Sequence, residues 1–215
     1  MVFSPFIHIV ILSVLIPVQN FKCFDVHRHS TSRSKTMREI HINDTTTVAN
    51  HRVGQPDLNE HQTVFGGRTL SIVDNTASIP AMRVARSIVV TGTMDHIHFL
   101  QPFDLRHALS AESYVTGIGS RSIEVFTKII GEDMETGTRF LGFYAFTTFI
   151  IQDANVRMPA TTLIADTPEQ AQLIAGYTDR KALRDQTRHA DESILDTVTL
   201  AMPWENRNHE NPLTN

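Results

Sequence analysis

The hydrophobic period of the chain changes once, near residue 87, and no other feature of its 215 residues constrains the fold as much. Before the change, RTLSIVDNTASIPAMRVAR (68–86) places Leu70, Val73, Ala77, Ala81 and Val84 at steps of three and four. That is the spacing of one helical face. Pro80 lacks a backbone donor and crowds the carbonyl of Thr76, which predicts a kink. After the change the pattern alternates. SIVVTGTMDHIHFLQP (87–102), LSAESYVTGIG (109–119), SRSIEVFTKIIGED (120–133) and RFLGFYAFTTFIIQD (139–153) read as four strands, with a turn on Gly137 before the last. Residues 38–63 read as a strand start and a loop, 154–167 as loop, and 168–192 as a charged, helix-prone tail. No internal repeat appears, so the chain reads as one unit.

One long helix followed by an antiparallel run of strands is an α+β pattern. The helix must bury its apolar stripe, and the strands supply a face for it. A sheet of five or six strands wrapped around one central helix satisfies both. An apolar content of 41% is enough for such a core, and a net charge of −4 gives no argument for nucleic acid as a partner. The single cysteine, Cys23, lies outside this region, which excludes a disulfide framework.

Four segments follow from this reading: 1–36 as an extension, 37–160 as the domain, 161–192 as the helical tail and 193–215 as disordered chain. The extension begins with the uncharged apolar run MVFSPFIHIVILSVLIPVQN and continues as a basic, aperiodic stretch. It is short for a membrane span and lacks the basic start and cleavage site of a signal peptide. Two readings stand side by side: a membrane-associating extension, or sequence upstream of a natural start at Met37.

The stretch VFGGRTLSIVDNTAS (64–78) carries the chemistry. Gly66 and Gly67 stand directly before the helix, and Asp74 lies seven residues after the second glycine among apolar neighbours. The first turn of a helix offers unpaired N–H groups and a partial positive charge, which suits a developing oxyanion. Glycines let a substrate approach the backbone closely. The N–H of Gly67 or Arg68 is the expected donor.

The blocks DLNEHQTVFGGRTLSIVDNTAS, VVTGTMDHIHFLQP, SYVTGIGSRSIEVFTKIIGEDMETGTR and FYAFTTFI, in this order across about residues 50–160, resemble the acyl-CoA thioesterase family with the hotdog fold. The resemblance implies hydrolysis of fatty acyl-CoA to free acid and CoA in the cytoplasm. It implies no cofactor and no metal, a homodimer as the minimal unit and a hexamer as a trimer of dimers. No nucleic acid and no clear membrane partner are implied.

By the same resemblance Asp74 activates water as a general base, or attacks to form an anhydride; Gly67 supplies the oxyanion donor; and Asn59, or His61 beside it, orients the water. Gly66, Arg68, Arg121 and Ser122 contact the substrate or its CoA. The order Ser120-Arg121-Ser122 departs from the usual family order by one place, and on a strand one place reverses the face. Arg180, Arg184 and Arg188 form a stripe on the tail helix, read either as a solvated face or as phosphate contacts. His96 and His98 read as cross-strand or dimer packing. A hotdog enoyl-CoA hydratase-like enzyme and a non-catalytic acyl-CoA-binding regulator are the alternative readings.

Overall fold

In the computed structural model, residues 37–202 and Trp204 are described; the 1–36 extension and most of the last residues lie outside them. Along the chain run β1 (Arg38–His41), α1 (Ile42–Thr45), β2 (Thr47–Arg52), α2 (Gly66–Ala85), β3 (Val89–Phe99), β4 (His107–Ile118), β5 (Ser122–Asp133), β6 (Arg139–Ile151), β7 (Thr161–Ile164), α3 (Pro168–Ala175) and α4 (Tyr177–Leu195). The main sheet has five antiparallel strands in the order β2-β4-β5-β6-β3, and α2 packs across it. This is the hotdog arrangement, a sheet wrapped on one helix.

Helix α2 buries Thr69, Val73, Thr76, Ala77, Pro80, Ala81 and Val84 and runs unbroken through Pro80. The small residues Ala77 and Ala81 let the helix approach the sheet closely. Around them close Val115, Ile123, Val125 and Phe149; around Val73 close Leu109, Ile129, Phe143 and Ala145. Removing a residue of this size from water contributes about 1.5–3 kcal/mol. The helix ends at Arg86, whose left-handed backbone (φ 50°) lets its N–H bond the carbonyl of Met82.

The structure corrects the sequence reading in three places. The stretch 38–63 holds two strands and a short helix, and β2 forms an edge of the main sheet. The expected loop at 154–167 contains β7, which pairs in parallel with β1, Arg38 opposite Thr161. The tail is two helices, broken at Gly176, and α4 reaches Leu195, into the stretch expected to be disordered.

The tail helices lie on the outer face of the sheet. There Tyr114, Phe126 and Phe146 stand opposite one another on β4, β5 and β6, and pack with Leu173 and Ile174 of α3. The Tyr114 hydroxyl donates to Glu169 Oε1 at 2.6 Å, and Lys128 Nζ donates to the same carboxylate at 2.7 Å. Burial and the Glu169 carboxylate push the Tyr114 pKa up. Among the described residues no helix is long and apolar enough to cross a membrane.

Candidate active site

The N-terminus of α2 is built from the loop before it. A single turn, Gln55–Asp57, follows β2 and places Asp57 under the helix start. The Asp57 side chain is 7% exposed. It accepts from Arg68 Nε at 2.9 Å, from the Gly54 N–H at 2.8 Å and from His51 Nε2 at 2.8 Å. Burial works to raise its pKa, and these donors outweigh it, so the carboxyl titrates below the ordinary aspartate value. The Asp57 carbonyl accepts the N–H of Phe65, the residue that caps α2.

Two residues on, Asn59 organises its own turn. Its Oδ1 accepts from the N–H groups of His61 and Thr63 and from the Thr63 hydroxyl. Its Nδ2 has no protein acceptor among the described residues. His61 does not join the site: it is 77% exposed, beside Glu60.

At the helix start, the Arg68 N–H is already given to the carbonyl of Phe65 at 2.9 Å. The N–H groups of Gly66 and Gly67 have no acceptor among the described residues. Of the two donors named from sequence, Gly67 is therefore the one left open. The room expected beside it differs from the observed one: the ring of Phe65 lies over the position a Gly67 Cβ would occupy, at 2.5 Å. Phe65 is itself 59% exposed, so this cover is a solvent-facing side chain. Gly66 opens instead on a small hollow shared with Phe99, Leu100 and Gln101.

Asp74 lies two turns along α2 and is half-buried. Thr91 of β3 donates its hydroxyl to Asp74 Oδ1 at 2.7 Å. Sequence reading missed Thr91, because a lone threonine in an alternating strand carries no signal of its own. The helical rise from Gly67 to Asp74 is about 10 Å. An oxyanion donor and a base serving one carbonyl must each sit within about 3 Å of a reacting atom. The Gly67 N–H and the Asp74 carboxylate of one chain are thus about two helical turns apart along α2.

The remaining residues named from sequence separate. Arg68 is engaged with Asp57 through Nε. Arg121 and Ser122 line a groove of about 730 Å³ between the outer sheet face and α4, together with Lys181, Arg184 and Arg188. Arg121 gives one Nη2 hydrogen to the Ile151 carbonyl at 2.9 Å, and its Nε is buried without a protein acceptor. Neither this groove nor the Gly66 hollow is lined by Asp74.

Two of the three arginines of the α4 stripe are neither solvated nor free. Arg180 and Arg184 both bind Glu124, a carboxylate 1% exposed near the start of β5, at 2.7 Å each. The Thr116 hydroxyl completes it at 2.7 Å, and the Arg180 guanidinium lies 4.1 Å over the Phe146 ring. Only Arg188, 71% exposed, fits the solvated reading. His96 and His98 pack cross-strand on Phe146 and Tyr144, around a bulge at which His96 takes a left-handed backbone.

Residues 61–138 match the family model of the thioesterase superfamily. An uncharacterized acyl-CoA thioester hydrolase of Bacillus subtilis, YkhA, is 34% identical over 162 residues, covering 75% of this chain and 94% of its own. The crystal structure of an acyl-CoA hydrolase from Bacillus cereus superposes with a TM-score of 0.71 at 31% identity, over 76% of this chain and 99% of its own. A hexameric acyl-CoA thioesterase in its apo form superposes with a TM-score of 0.66 at 29% identity, over 71% of this chain and 98% of its own.

Proposed function

The chain belongs to the acyl-CoA thioester hydrolase family, and on that premise we propose that it hydrolyses fatty acyl-CoA to the free acid and CoA at a site shared by two copies. The carrying observation is the composition of α2: open amide donors at Gly66 and Gly67, and two turns on a carboxylate held by Thr91.

The thioester carbonyl oxygen accepts the Gly67 N–H of one copy. Asp74 of the other copy takes a proton from water as its oxygen attacks the carbonyl carbon. The tetrahedral oxyanion is held by main-chain amides at the helix start, a kind of donor typically worth roughly 3–4 kcal/mol in the transition state. Collapse breaks the C–S bond, and the CoA sulfur leaves with a proton. The Asn59 Nδ2 orients the water. Direct attack by Asp74, through an anhydride, is the other route open to the same carboxylate.

Two features support the pairing of copies. Strand β3 is an open sheet edge of 11 residues. Beside it Phe65, Ile79, Met82, Val90, Ile97 and Phe99 expose apolar surface, which suits a second copy better than water. The hexameric relative supports assembly of such pairs into a hexamer, which three pairs would form as a trimer of dimers. The nucleotide end of CoA is assigned to Arg121 and Ser122, which line the outer groove.

A thiol-release assay over acyl-CoA chain lengths tests the reading. Wild type should free CoA thiol and Asp74→Asn should not. Water addition to an unsaturated acyl-CoA without thiol release would instead identify a hydratase.

A further inference from the structure

Asp57 connects three elements through its side chain: the edge strand β2 through His51, the loop through the Gly54 N–H, and the first turn of α2 through Arg68. Its main-chain carbonyl adds a fourth tie, to the Phe65 N–H at 2.8 Å. Phe65 and Arg68 flank Gly66-Gly67 on either side, so both ends of the glycine pair are attached to one residue. Asn59 lies two positions beyond it, in a loop otherwise closed by the Leu58–Val64 bridge and the Asn59–Thr63 hydrogen bond.

We propose that Asp57 is a positioning residue for hydrolysis: its carboxylate fixes the first turn of α2 against β2, and so aims the Gly67 N–H at the oxyanion and sets the Asn59 turn beside it. The proposal rests on the thioesterase reading above. It touches no substrate atom and acts through Arg68 and Phe65. It also gives Arg68 a role other than the substrate contact expected from sequence. The carboxyl is held ionised by its donors, so the tie persists through the neutral range.

The test is steady-state kinetics on the full chain, carried out well below the unfolding temperature of each variant. Wild type, Asp57→Asn, Arg68→Met and Arg68→Lys are compared on acyl-CoA and on the truncated thioester acyl-N-acetylcysteamine. A misaimed donor lowers kcat and leaves ground-state binding in place. Asp57→Asn should lose about 10- to 100-fold in kcat on both substrates, with KM moving less than about threefold. Arg68→Met should lose several-fold in kcat on both, and Arg68→Lys should recover part of it.

Unchanged kcat in folded Asp57→Asn, or in Arg68→Met should Asp57→Asn not fold, overturns the proposal. A rise in KM for Arg68→Met on acyl-CoA alone also overturns it, because it makes Arg68 a CoA contact. Wild type that releases no thiol overturns the hydrolase reading itself, and this is visible before any variant is made.

Discussion

Thr91 Oγ1 donates to Asp74 Oδ1 at 2.7 Å, joining an edge strand to the helix it covers. The bond holds one carboxylate oxygen and leaves the other for water. Removing the carboxylate should remove the base: Asp74→Asn is expected to lower kcat by about 10²- to 10⁴-fold. Thr91→Val keeps the shape and loses only the donor, so a smaller fall, about tenfold, is expected with little change in KM. Thiol release by purified variants checks both; full activity in Asp74→Asn would remove Asp74 from the mechanism.

In the proposed site the Gly67 amide and the Asp74 carboxylate come from different copies, so activity should be recoverable by mixing. A chain carrying Asp74→Asn and a chain carrying Gly67→Pro, each inactive alone, should regain a fraction of wild-type turnover when co-refolded. One of the two shared sites in the mixed pair is then intact. No recovery in a verified mixed oligomer would place the whole site within one chain.

Glu124 is the seat of α4. Glu124→Ala leaves Arg180 and Arg184 beside the sheet without their acid, and a loss of about 3–5 kcal/mol is expected in urea unfolding. Arg188→Ala, at an exposed pair, should stay within about 0.5 kcal/mol. Equal effects from the two substitutions would mean that the buried cluster contributes no more than a surface one.

Acid should loosen the helix start. The Asp57 carboxyl titrates below its ordinary value of 3.8, so its stabilising contribution is complete above that pH. It declines as pH falls below 3.8, where the unfolded chain binds the proton first, and is gone once the folded carboxyl is protonated. Asp57→Asn should be less stable than wild type near neutrality, and the gap should close as pH falls through this window. Urea midpoints measured from pH 6 to pH 3 check it. A gap that does not narrow would mean the charge of Asp57 contributes nothing.

Most long elements were legible from the chain alone because each buries an apolar face: α2 through Val73, Ala77, Ala81 and Val84, and β4, β5 and β6 through their inward residues, whereas β3 was legible from its β-branched content and buries no residue. Strand β2 escaped because its inward face carries Thr47, Ala49 and His51, while Val48 points out, 54% exposed. Strands β1 and β7 have four residues each and are defined only by pairing across more than a hundred positions. Asp74 and the glycines stood out because glycine pairs and an acid inside an apolar helix are local signals. Thr91, the Asp57 hub and the Glu124 clamp are spatial ones. The partner of Arg180 lies 56 residues away, and no helical spacing points to it.

The grip of α4 on Glu124 has a consequence for any attempt to shorten the chain. Cutting after Gly176 would strip both guanidiniums from Glu124 and lift Arg180 off the Phe146 ring. A trimmed version would therefore expose aromatic surface that the full chain keeps covered. The C-terminal segment behaves as a piece of the domain's own lining and not as baggage attached to it.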